Sequence, residues 1–114
     1  MKIETFEDII AWQKGKVLAK KVYIIFSGIK DYGFKDQVLR AVLSITNNIA
    51  EGFERKSNKE LKQFLFIAKG SCGEVRSMLS LAKDLHYIKD SDYEVCYKDS
   101  LEVSRLLSGF IKTL

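Results

Sequence analysis

The chemistry available to this chain rests on few side chains. Glu51 and Glu74 are the one carboxylate pair that could share acid and base work, and His86 is the only histidine. A neutral imidazole suits proton transfer or metal binding, but His86 lies three residues after Lys83, so the Glu-x-x-His pair of a di-iron bundle is missing. No phosphate loop, nucleophile elbow or zinc spacing occurs. Cys72 and Cys96 match neither a disulfide framework nor a zinc site and read as reduced core thiols. Catalysis is not expected, nor is a cofactor, metal or small-molecule substrate.

Positive charge is more abundant. Lys14, Lys16, Lys20 and Lys21 crowd one segment, and Arg55, Lys56, Lys59 and Lys62 crowd another. Lysine and arginine gathered on one surface attract phosphates and release counterions, so these eight residues are the candidates for binding RNA or DNA through one cationic surface. The net charge is +4; residues 11–40 carry +5 and residues 41–70 carry +2. No signature of base-specific readout is present. Tyr23, Phe26, Tyr32, Phe53 and Phe64 could stack on bases, yet aromatic residues at helical spacing more often fill a core. A basic patch serves acidic proteins as well as phosphates, so a scaffold that binds a protein partner is the alternative reading.

These side chains must be carried on helices. Apolar residues at steps of three and four recur in four stretches: Ala11 to Ile25, Val38 to Gly52, Leu61 to His86, and Cys96 to Leu114. With 114 residues and no proline, the chain is expected to be one all-α domain spanning 1–114. Thr5 with Asp8, Ser57 with Glu60, and Ser91 with Glu94 have capping-box spacing. Asp36 is expected in the first turn of the second helix. The predicted helices are 6–27, 35–54, 58–87 and 92–113, an up-down-up-down antiparallel four-helix bundle with short connections.

A polar stripe interrupts the second helix in the segment SITNNIAEGF. Arg40, Ser44, Asn47 and Glu51 follow one another at steps of three and four, with Asn48 at the border of the apolar seam. Gly70, Ser71 and Glu74 offer small and polar partners on the third helix. The spacing predicts a buried polar network of Arg40, Asn47, Asn48, Glu51 and Glu74, at a helix–helix or subunit contact; salt bridging to Arg40 is the plainest role for the two glutamates.

The opening MKIETFEDII lacks the basic start and uninterrupted apolar core of a signal peptide, so secretion is not expected. The first helix, with KGKVLAKKVYIIF, has the charge of a membrane-surface helix, but its seam favours packing on the other three. No membrane partner is expected.

Taken together, Trp12-Gln13-Lys14, Gln37-Val38-Leu39-Arg40-Ala41, Ser44-Ile45-Thr46-Asn47-Asn48-Ile49-Ala50-Glu51-Gly52, and Phe64-Leu65-Phe66-Ile67-Ala68-Lys69-Gly70-Ser71 with Glu74 resemble the four-helix bundle proteins encoded in 23S rRNA intervening sequences. The resemblance spans nearly the whole chain. It implies a small cytoplasmic bacterial protein that assembles into a ring-like homopentamer, and kinship with the basic accessory protein of diversity-generating retroelements. It implies no enzymatic activity.

Overall fold

The computed structural model of the chain describes residues 2–114. Four helices follow a single 3-10 turn at Phe6–Asp8: α1 is Ile10–Ile25, α2 Tyr32–Phe53, α3 Asn58–Asp84 and α4 Asp90–Lys112. Among the described residues there is no strand. At 1.5 Å per residue the 27 residues of α3 span about 40 Å, nearly the 43 Å long axis of the molecule. Each helix packs against two others: α1 and α3 each touch α2 and α4.

The seam residues make the core. Leu18 and Val22 of α1, Ile45 and Ile49 of α2, Leu65 and Leu79 of α3, and Val103 and Leu107 of α4 are all fully buried in one cluster. Removing apolar area from water is what holds helices of this length together, because isolated helical turns are marginal in water. Two contacts set the pitch between α1 and α2. A Cβ on Gly15 would lie 3.1 Å from Thr46 Cγ2, and the Phe26 ring stacks on Phe34 with 6.2 Å between centroids.

The helix ends depart from expectation in instructive ways. Thr5 and Asp8 organise the 3-10 turn rather than α1: the Asp8 carboxylate accepts from the backbone amides of Glu4 and Thr5 at 2.9 and 3.1 Å, which holds its pKa below the usual carboxylate value. The α-helix itself waits until Ile10, after an extended Ile9. At the second start Asp31 is the cap; its side chain accepts from Phe34 N at 3.2 Å, so α2 begins three residues earlier than predicted and Asp36 falls beyond its first turn. Ser57 caps α3 by accepting from Glu60 N. Ser91 caps nothing, because Lys89 occupies the cap position and Ser91 is already inside α4.

Helix α3 stops at Asp84, three residues before its predicted end. His86 adopts φ 59, and the amides of His86 and Tyr87 donate to the carbonyls of Lys83 and Ala82 at 3.0 and 2.9 Å. This pair of bonds is a Schellman ending, in which glycine usually occupies the left-handed position. His86 is therefore exposed and outside the helix, not the last member of the seam. Replacing it removes a steric cost of left-handed backbone, so His86→Gly is expected to raise stability by roughly 1 kcal/mol. A urea midpoint lower than that of the wild type would refute this.

Candidate nucleic-acid interface

The eight basic candidates divide into groups that the sequence does not separate. On α1, Lys14 and Lys21 face α4. Lys21 Nζ donates to Asp99 Oδ2 at 2.6 Å, a hydrogen bond that raises the Lys21 pKa, and Lys14 stands 3.9 Å from Glu102 Oε1. Lys16 and Lys20 turn toward α2 instead, where they line an apolar groove of about 510 Å³ with Trp12, Ala19, Tyr23 and Leu43. The Lys16 ammonium sits 5.4 Å from the Trp12 ring centroid.

The second group gathers where α2 passes into α3. Arg55 is held on two sides, by Glu51 Oε2 at 2.8 Å and by the Phe64 ring face at 4.8 Å. Lys56, Lys59 and Lys62 have no ion-pair partner among the described residues. Lys56 precedes the cap of α3, Lys59 is in its first turn and Lys62 follows directly, so the group surrounds a helix start whose dipole already supplies positive charge and favours acidic rather than basic side chains. Their placement there costs the fold a little, and it concentrates positive potential at one end of the molecule.

The two groups stand at different levels of the bundle. Gly15 lies opposite Ile45 and Thr46, so at 1.5 Å per residue Lys16 is about 15 Å, and Lys20 about 20 Å, from Arg55 along the bundle axis. The signal for this was available only in part: the acids that neutralise Lys14 and Lys21 are 78 or more residues away in the chain.

The polar stripe contracts within one chain to three residues. Asn48 Nδ2 donates to Ser44 O and Ser44 Oγ at 2.7 and 2.9 Å, and Ser71 Oγ meets Ser44 Oγ at 2.9 Å, bridging α2 to α3. Arg40 and Glu51 instead make i,i+4 ion pairs with Asp36 and Arg55 along α2. The expected salt bridge from either glutamate to Arg40 is therefore absent among the described residues. Asn47, Gly70 and Glu74 are exposed. The reason is helical phase: Ser44 and Asn48 point at α3, whereas Arg40, Asn47 and Glu51 are turned one step outward.

A polar cluster the sequence did not single out ties α3 to α4. Ser100 Oγ, fully buried, donates to Cys72 O at 3.0 Å and accepts from Arg76 Nη1 at 3.2 Å. Burial pushes the thiols of Cys72 and Cys96 up to about 11, and both are free. Among the described residues, no three His, Cys, Asp or Glu side chains come together as a metal-holding group, and no helix is long and apolar enough to cross a membrane.

The sequence profile of the 23S rRNA-intervening sequence proteins matches residues 7–109. The chain belongs to that family. No curated protein matches it. In three dimensions this intervening-sequence family protein is similar to the crystal structure of a protein of unknown function from the S23 ribosomal protein family of Bacteroides thetaiotaomicron, with 26% identity and a TM-score of 0.84 over 90% of this chain and 96% of that one. The matched residues 7–109 include both basic groups and the whole polar stripe.

The family protein also carries an apolar feature that the seam analysis missed. Ile10, Val17 and Ile24 repeat every seven residues on the outside of α1, and Ile24 is 72% exposed. A second apolar phase beside the first was the available sign.

Proposed function

We propose that this protein is a non-enzymatic, cytoplasmic, up-down-up-down four-helix bundle that self-associates into a ring-like homopentamer and binds RNA or DNA without reading base sequence. Contact order supports the alternating helix directions. Gly15 lies against Ile45 and Thr46 while Phe26 lies against Phe34, and Ser44 meets Ser71 while Gly52 faces Leu61 and Phe64. Exposed Ile24 on α1 and exposed Phe66 and Ile67 on α3 support self-association, since large apolar side chains left in water favour cover by another chain.

The observation that carries the binding reading is the cluster of Lys56, Lys59 and Lys62, without carboxylate partners among the described residues, around the amino end of α3. Fold stability gives no reason for that placement; phosphate binding does. A ring of five copies would gather about +20 of charge, with one such cluster on every subunit. Catalysis lacks a comparable arrangement: His86 is exposed, Glu51 is engaged by Arg55, and Glu74 is exposed on α3.

Fluorescence anisotropy of labelled structured RNA and duplex DNA, titrated with the protein from about 50 to 200 mM salt, tests this. Binding with a steep salt dependence and little preference among sequences is the expected result. No binding at the lowest salt would leave the assembly without a nucleic-acid role.

A further inference from the structure

The self-association proposed above leaves open which surfaces meet, and two faces of the molecule are complementary. One is the groove between α1 and α2. Its floor is Trp12, Ala19, Tyr23 and Leu43, and its rim carries Lys16 and Lys20, which have no carboxylate partner among the described residues. The other lies on the α2 side of α3. Ile67 and Glu74 stand one helical turn before and after Ser71, the residue that bonds α2, and Leu81 continues the same row.

That row is built as a ridge without a partner among the described residues. Ile67 and Leu81 are 52% and 49% exposed, and Glu74 between them has no cation within ion-pair distance among the described residues. Gly70, in the middle of a 27-residue helix, has open space where a Cβ would be, so nothing among the described residues calls for glycine there. An exposed helical glycine costs about 1 kcal/mol against alanine, a cost that a closely approaching second backbone offsets.

We infer that the Ile67–Gly70–Glu74–Leu81 ridge of one copy seats in the Trp12–Tyr23–Leu43 groove of the next, with Glu74 between Lys16 and Lys20. The chemistry matches on both counts: apolar ridge to apolar groove, and one unpaired carboxylate to two unpaired ammonium groups. Because the two surfaces are different, the contact is heterologous, and a heterologous contact repeats until it closes into a ring or runs on as a filament. Groove and ridge adjoin at α2 rather than lying on opposite sides of the bundle. Successive copies therefore turn sharply, which favours closure.

The chain's one tryptophan, Trp12, lies in this groove and reports on its cover. Light scattering after gel filtration, combined with Trp12 emission over a concentration series, tests the assignment. For the wild type, a mass that is a multiple of 13.1 kDa and a shift of Trp12 emission to shorter wavelength on assembly are expected. Ile67→Arg, and separately Glu74→Lys, should drop the mass toward 13.1 kDa and abolish the emission shift while the helical circular dichroism stays unchanged. The triple variant Lys16→Glu, Lys20→Glu, Glu74→Lys restores the charge pairing in reverse and should regain assembly. If the wild type assembles but Ile67→Arg and Glu74→Lys keep its mass, these faces are wrong and self-association stands. A wild type that is monomeric at every concentration overturns both.

Discussion

Gly52→Ala is expected to destabilise the protein, even though alanine is the better helix former. The added Cβ would fall 2.6 Å from Phe64 Cβ, 3.1 Å from Leu61 Cδ1 and 3.4 Å from Leu61 O. A flexible side chain could swing away from such a contact, but Phe64 Cβ is bonded directly to the α3 backbone. Relief requires α2 and α3 to separate next to the short turn at residues 54–57. Overpacking of this kind costs roughly 1–3 kcal/mol, which outweighs the ~1 kcal/mol gained by taking glycine out of a helix. Gly109→Ala supplies the opposite sign, because a Cβ there meets nothing within 4 Å and only the propensity gain remains. Urea unfolding of the two variants beside the wild type should place Gly52→Ala at the lowest midpoint and Gly109→Ala at the highest. An unchanged or raised midpoint for Gly52→Ala would mean that α3 yields at Phe64 and that the close approach is not required.

The second large effect concerns binding. Reversing Lys56, Lys59 and Lys62 together to glutamate should weaken RNA and duplex binding by at least about 100-fold at 50 mM salt, and flatten the dependence on salt by about three counterions per engaged subunit. The fold should not suffer, since carboxylates near the amino end of α3 are favoured by its dipole where lysines are not. Circular dichroism and assembly mass therefore remain as for the wild type, and the loss is attributable to charge. Reversal at Lys14 and Lys21 breaks their pairs with Glu102 and Asp99 and should cost stability more than affinity. Should that second change be the one that abolishes binding, the nucleic acid lies along α1, and the α2–α3 end is not its site.

Much of this architecture is legible from residue spacing, because burial is periodic. The seam from Leu61 through Ala82 is buried at every position, as are Val38, Val42, Ile45, Ile49 and Gly52. Helix ends are less legible, since they depend on a backbone angle or a single hydrogen bond. His86 holds a left-handed position without being glycine, and Ser91 has a cap's spacing but follows Lys89, where the chain already turns into α4. The basic candidates show the same division. Which lysines occur is plain, but Lys21 is neutralised by Asp99 from the far end of the chain, and no local pattern announces that pairing. The polar stripe was legible as a stripe. Its division into the inward Ser44 and Asn48 and the outward Arg40, Asn47 and Glu51 depends on where α3 lies against α2, which the Ser71 to Ser44 hydrogen bond fixes.

The buried sulfurs have one more consequence. Cys72 on α3 and Cys96 on α4 are fully covered, and with pKa values near 11 they form almost no thiolate at neutral pH while the helices stay packed. Any alkylating reagent must wait for α4 to lift from α3. The rate at which these two atoms take up a label is thus a clock for partial opening of the protein, read without perturbing its surface, its charge or its assembly.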